Sequence, residues 1–291
     1  MAPQSGTIDQ ILSTAMGLSP EDSLFLLNLG AIYLNHERLL AKTIAIEKGA
    51  YLRVHSQPRR FKRALLQWPS AKIFENDDFL VVNKPSGLPV HSTVDNVQEN
   101  LVAMLSAEIE HELFVTHRLD VPTSGLIVFA KTKDFQKKFN LYLMQRKVQK
   151  IYRALVHGEY DGPRVLKHYM EPSPRAPKNV VKNQTAGWAA CELRIQDVES
   201  TGDGNCELMI ELITGRTHQI RAQLSCEGFP VVGDRAYGSP VLLGDGGHEE
   251  IALQAVYLNF PQSESESELH SESEFESFTF RLPRLSAVNR A

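Results

Sequence analysis

The chain has 291 residues, of which 42% are hydrophobic and 23% charged, proportions of an ordinary globular protein with one large domain and an appendage or two modest domains. No apolar run approaches the roughly 18 residues needed to span a bilayer, so no membrane partner is expected. The opening Met1-Ala2-Pro3-Gln4-Ser5-Gly6 lacks the basic region and apolar core of a signal peptide. Cys191, Cys206 and Cys226 have neither metal-type spacing nor the number for a disulfide framework, so a reducing, cytoplasmic, metal-free protein is expected.

The formal charge of -4 argues against nucleic acid, but it is unevenly spread. Residues 263–276 contain six Glu and no Lys or Arg, and without them the balance is +2. Basic residues gather at Arg53, Arg59, Arg60, Lys62 and Arg63, at Arg146, Lys147 and Lys150, and at Arg175, Lys178 and Lys182. Such clusters can neutralise phosphates and are equally common on plain solvated surfaces.

In chain order, Ser19-Pro20-Glu21-Asp22 predicts a helix start, with Ser as the cap and Pro in the first helical position. Leu24, Phe25, Leu27 and Leu29 follow, and Gly30 is placed to end the helix. Residues 32–34 and 51–54 read as short strands around a second helical stretch near 36–47. These elements predict a small N-terminal module over 1–63, too short for a large core. Residues 57–63 read as a basic linker, with a boundary near 64–70. Strands at 72–75 and 79–83 then flank the turn Asn76-Asp77-Asp78, and 84–91 form a loop stiffened by two prolines and a glycine.

Residues 117–125 follow, a turn leading into the apolar strand 126–130. Thr132 can cap a helix running to about 147, with Phe135, Phe139 and Leu143 on one face. Residues 150–156 read as a strand with Tyr152, Ala154 and Val156 on one face. Strands at 193–198 and 206–213 are joined by a turn at 201–205, and a short helix over 217–226 is closed by Gly228. Late strands at 253–260 and 277–281 bracket the Ser/Glu run, which reads as a long solvated hairpin loop.

Within 117–125, Arg118 and Asp120 place a base and an acid two residues apart on a turn fixed by Pro122 and Ser124-Gly125. A carboxylate on a rigid turn beside an arginine is a candidate catalytic group. Taken alone, Asp120 more simply hydrogen-bonds its own turn. The stretch does not stand alone, however. Upstream is Val82-Asn83-Lys84-Pro85-Ser86-Gly87, and downstream are Lys150-Ile151-Tyr152-Arg153-Ala154 and Thr214-Gly215-Arg216-Thr217-His218-Gln219-Ile220-Arg221. Gly228-Phe229-Pro230-Val231-Val232-Gly233-Asp234-Arg235, then Tyr237-Gly238, come last. In this order and spacing the blocks resemble the RluA family of RNA pseudouridine synthases over roughly residues 70 to 284.

The resemblance implies an α+β fold, a catalytic domain over 70–284 with a mixed, mainly antiparallel central sheet flanked by helices and loops. It carries the Ser/Glu-rich insert at 263–276 and ends in a tail at 285–291. The implied function is isomerisation of specific uridines in structured RNA, ribosomal or transfer, to pseudouridine by a monomer. Asp120 matches the family's catalytic carboxylate, acting by attack on the substrate or by proton abstraction from the ribose. Arg221 matches its basic partner and Tyr152 the active-site tyrosine. Arg118 matches the residue that helps extrude the target base, a step costing on the order of a few kcal/mol. Lys84, Arg216 and His218 are substrate-binding candidates, with support of the Asp-bearing turn as the equal alternative. Asp234 suits a turn or an ion pair. No metal or organic cofactor is expected, since the reaction has no net redox change and no group donor.

The first 60 residues resemble a degenerate alpha-L RNA-binding module, or else form a cap of another kind. Gln254 stands where family members commonly carry His. An aspartic hydrolase fails because Val121-Pro122 separates Asp120 from Thr123 and no second copy exists. A zinc deaminase fails for want of Cys-x-x-Cys, the three cysteines lying at 191, 206 and 226. The remaining rival is a catalytically inactive RNA-binding protein of the same fold.

Overall fold

The computed structural model describes residues 1–41, 44–244, 249–262 and 277–283; the Ser/Glu insert and the tail lie outside them. The chain divides into two compact units, Met1–Ala64 with Leu88–His111, and Leu65–Gly87 with Glu112–Ala291. Residues 88–111, expected inside a continuous 70–284 domain, therefore cluster with the N-terminal residues.

In the first unit, helix α1 spans Ile8–Met16, and the Thr7 backbone N–H before it donates to Gln10 Oε1 at 3.1 Å. Helix α2, Pro20–Leu29, starts where Ser19 Oγ accepts from the Asp22 N–H at 3.0 Å and ends at the left-handed Gly30. Strands β1 (Ile32–Leu34), β2 (Glu37–Arg38) and β3 (Leu52–Val54) form a sheet in the order β2-β1-β3. The helix expected near 36–47 is absent among the described residues. Asn35 and His36 both take positive φ, 48° and 71°, and turn β1 back into β2. Leu39 and Ile46 still enter the core with Ile8, Ile11, Leu12, Leu26, Leu27 and Ile32, as irregular backbone.

Segment 88–111 contributes helix α3, Leu101–Glu108, capped by Asn100 Oδ1 accepting from the Ala103 N–H at 3.0 Å. The segment is fastened by the Val97 N–H donating to Leu29 O at 2.8 Å and by Tyr33 OH donating to Val94 O at 2.8 Å. Two cations of the expected basic linker are neutralised in place. Arg59 pairs with Asp95 and Arg60 with Glu99, each through two side-chain N–H groups.

The second unit is built on strands β4 (Lys72–Glu75), β5 (Phe79–Lys84), β6 (Phe114–Val115), β7 (Ser124–Ala130), β8 (Gln149–His157), β9 (Val165–Met170) and β10 (Val180–Val181). It continues with β11 (Ala189–Ser200), β12 (Asn205–Leu212), β13 (Leu253–Pro261) and β14 (Ser277–Arg281). The sheet runs β10-β9-β11-β12-β8-β13-β7-β5-β4, with β14 beside β13 and β6 beside β7. Only the β13–β7 pairing is parallel among these, giving the mixed, mainly antiparallel sheet expected. Helix α4, Lys133–Met144, begins with Thr132 Oγ1 accepting from the Phe135 N–H at 3.2 Å. It packs Phe139 and Tyr142 into a core with Phe79, Val128, Leu258 and Phe260. Phe79 stacks on Phe135 at 4.6 Å and meets Phe260 edge-on at 5.5 Å; such pairs contribute about 0.5–1.5 kcal/mol each beyond burial. Helix α5 spans Gln219–Cys226.

Where β7 meets β13 only glycine fits. Gly125 has φ +113°, and a Cβ there would lie 2.2 Å from the Ala255 carbonyl oxygen. This close approach brings the turn before β7 alongside β13, and through it alongside β8.

Candidate active site

Residues 116–123 connect β6 to β7, and the backbone of that turn is gripped from one side. The Thr123 N–H donates to Asp120 O at 3.1 Å, the Gly87 N–H to Val121 O at 2.9 Å, and Ser86 Oγ to Pro122 O at 2.7 Å. Lys84, fully buried at the end of β5, donates its ammonium to Pro85 O at 2.9 Å and Val121 O at 3.1 Å. Burial pushes the Lys84 pKa down to about 7, against the pull of the Asp120 charge. Lys84 thus holds the turn from beneath, with no reach toward a phosphate. Leu119 is buried and Arg118 exposed, so their side chains diverge on either side of the chain as the alternation implies.

Arg221 comes from α5. Its side chain is only 3% exposed, and a buried guanidinium needs carboxylate partners. Asp234, wholly buried, takes Nε at 2.6 Å and Nη2 at 2.9 Å; Nη1 lies 3.3 Å from Asp120 Oδ2. Burial would lower the Arg221 pKa, but Asp234 and then Asp120 overcome it and hold the group above its ordinary value. The guanidinium also lies over the Tyr237 ring, 4.9 Å from its centre.

Tyr152 occupies β8, facing Ile210 of β12 and Ala255 of β13 in the ladder. Burial, and secondarily the Asp120 charge, push its hydroxyl above the ordinary range, so it is a neutral phenol. His218 sits immediately before α5 with Nε2 3.9 Å from Asp120 Oδ1 and Nδ1 3.0 Å from Tyr237 OH. Arg216 is exposed, and its backbone N–H donates to Gln219 Oε1 at 3.0 Å.

Asp120, Arg221 and His218 thus converge directly, Tyr152 feels the Asp120 charge, and Lys84 braces the turn. Arg118 and Arg216 are exposed. Asp234 makes the ion pair that its setting suggested. Tyr237 lies in the last of the motif blocks, where its type and spacing suggest no role, although it contacts both Arg221 and His218. His117 supports the fold. Its Nε2 accepts the Val128 N–H at 3.2 Å, the ring stacks on Phe139, and burial followed by the Lys150 charge pushes its pKa down to about 3. Among the described residues, no group of three or more His, Cys, Asp or Glu could hold a metal ion, and no helix is long and apolar enough to cross a membrane.

Chemically, the arrangement presents one carboxylate, 20% exposed, fixed by a permanently charged guanidinium and flanked by a neutral phenol. That set suits attack or proton transfer by a carboxylate on a substrate entering from solvent.

The family model for RNA pseudouridylate synthase matches residues 78–226, and the chain belongs to that family. It is 35% identical over 215 residues to RNA pseudouridine synthase 6, chloroplastic, of Oryza sativa subsp. japonica, covering 66% of this chain and 45% of that protein. It is 32% identical over 282 residues to the ribosomal large subunit pseudouridine synthase D of Neisseria meningitidis, covering 89% of this chain and 73% of that protein. The chain spans about half the length of the plant relatives it matches, 45% and 48%. The solved structure of human RNA Pseudouridylate Synthase Domain Containing 4 has the same fold, with a TM-score of 0.56 at 23% identity over 76% of this chain and 89% of that one.

Proposed function

We propose that the chain is an RNA pseudouridine synthase that isomerises specific uridines in structured ribosomal or transfer RNA, with Asp120 as the catalytic carboxylate. The observation that carries this reading is the solvent-accessible Asp120 carboxylate paired with the buried Arg221 inside the segment that matches the family. In the reaction the bond from uracil nitrogen to the ribose breaks and a bond from uracil carbon to the same ribose atom forms. The carbon loses a proton and the nitrogen gains one, so no cofactor enters the balance. Asp120 attacks the substrate or takes a ribose proton, and Arg221 fixes it and keeps it charged. Tyr152, as a neutral phenol, offers its ring to the base and its hydroxyl to proton transfer. Arg118 enters the space vacated by the extruded base, and Arg216 meets backbone phosphate. Lys84 and His218 serve the turn.

Pseudouridines are mapped in RNA from cells with the gene, without it, and complemented by wild type or Asp120→Asn. Defined sites should vanish on deletion and return with wild type alone. Sites restored by Asp120→Asn would overturn the assignment of Asp120. No site lost on deletion, with RNA binding retained, would favour the inactive RNA-binding protein.

A further inference from the structure

His218 has an unusual backbone for a residue with a side chain, φ +58° and ψ +21°, at the residue capping α5. Left-handed residues other than glycine are uncommon, and histidine is among the few enriched there. This conformation sets the imidazole between two groups. On one side Tyr237 OH accepts the Lys178 backbone N–H at 2.6 Å, so its own proton is directed to its other partner, His218 Nδ1, at 3.0 Å. Nδ1 is then an acceptor. Burial lowers the His218 pKa, as do Arg221 and Lys178, while Asp120 and Asp234 oppose them. The ring is neutral, and its single proton is therefore on Nε2, the atom 3.9 Å from Asp120 Oδ1.

We propose that His218 is a positioning residue for Asp120, its Nε2–H restraining Oδ1 while Arg221 restrains Oδ2. Tyr237 is the element that ties the two restraints together. Its ring carries the Arg221 guanidinium and its hydroxyl selects the His218 tautomer. The carboxylate is bonded at Oδ2 and approached at Oδ1, where the 3.9 Å separation is beyond hydrogen-bond length and closes on a small side-chain shift when substrate binds. The proposal rests on the reading of Asp120 as the catalytic carboxylate.

The test uses the full-length chain and total RNA from cells lacking the gene, with pseudouridine formation followed at varied RNA concentration. His218→Asn tolerates the left-handed backbone but is too short to reach Asp120; His218→Gln reaches it with an amide N–H. The Asn variant should lose about 10- to 100-fold in kcat with KM within about twofold, and the Gln variant should recover much of that loss. Nitrogen-15 NMR of the His218 ring at neutral pH should show Nδ1 unprotonated and Nε2 protonated in wild type, a preference weakened in Tyr237→Phe. A rise in KM with kcat unchanged would make His218 a substrate contact and overturn the proposal. A protonated Nδ1 in wild type would overturn it too, and this measurement stands even if a variant folds poorly. Asp120→Asn, run in parallel, separates the two readings: activity surviving there removes the carboxylate assignment itself.

Discussion

Both units set arginines against carboxylates, with opposite partners exposed. In the first unit, the Arg59 and Arg60 side chains are 58% and 55% exposed, while Asp95 and Glu99 are each 8% exposed. In the second, Arg221 is 3% exposed, Asp234 is fully buried, and Asp120 is 20% exposed. The first arrangement is a clasp. Glu99 also accepts the Phe61 N–H at 2.8 Å and Asn96 Nδ2 at 2.8 Å, so its lone pairs are spent on holding 59–61 against 95–99. The second inverts this: the cation is the fixed, buried member, and one of its two carboxylates faces solvent with capacity to react.

That contrast predicts the largest effect at Asp234. Asp234→Ala strips the buried guanidinium of its two-point partner and leaves it one hydrogen bond, to Asp120, beside the face of the Tyr237 ring. It should cost about 3–5 kcal/mol in urea denaturation together with the activity. A loss below about 1 kcal/mol would mean that Arg221 is not the buried hub described. Lys84 sharpens the point, because it is a buried cation held by carbonyls in place of carboxylates. Below about pH 7 it is charged in folded and unfolded chains alike, and above about 10.5 it is neutral in both. Between those limits the unfolded chain binds a proton that the folded chain does not, so stability rises with pH, by up to a few kcal/mol. Lys84→Met should flatten the rise measured between about pH 6 and pH 10. An unchanged slope would show that the lysine is not responsible.

The clasp should give way more gently, since its arginines are already hydrated. Glu99→Gln is expected to cost about 1–3 kcal/mol, chiefly by weakening acceptance of the Phe61 and Asn96 hydrogen bonds. Burial raises the Glu99 pKa, but Arg60, Phe61 and Asn96 together bring it below its ordinary value. The associated stabilisation is therefore present above about pH 4.5 and lost as acid protonates the folded form. Hydrogen exchange at the Phe61 amide, followed on acidification in wild type and variant, checks both statements. A wild-type amide whose protection responds to acid no differently from the variant's would remove Glu99 from the clasp.

Local signals were legible where one segment decides its own conformation. Ser19-Pro20 and Thr132 begin helices by side-chain caps, and Asn76 Oδ1 accepts from the Asp78 and Phe79 N–H groups in the hairpin between β4 and β5. The stretch near 36–47 read as a helix, yet its Leu39 and Ile46 reach the core from backbone that Asn35 and His36 have turned. In the site, Asp120, Tyr152 and Arg221 were marked by the motif blocks. The coupling of Arg221 to Asp234 across a loop, and the placement of Lys84 beneath Val121, arise only on packing. A lysine beside a proline-glycine loop looks like a surface cation until β5 buries it.

The smallest effects on the fold should come from the exposed arginines, and these divide stability from binding. Arg216 is exposed and donates to Gln219 through its backbone N–H, so Arg216→Ala retains that bond and should change stability by less than about 0.5 kcal/mol. If the side chain meets one phosphate, the slope of log affinity against log salt should fall by about one, uniformly across RNA sequences. Arg118→Ala should leave stability nearly as untouched, but a residue that fills a vacated stack acts after binding, so kcat should fall more than the salt slope. A shared loss of slope would place Arg118 on phosphate with Arg216. A loss of kcat confined to Arg118 would put the two arginines in different steps, one gathering the RNA and the other opening it toward Asp120.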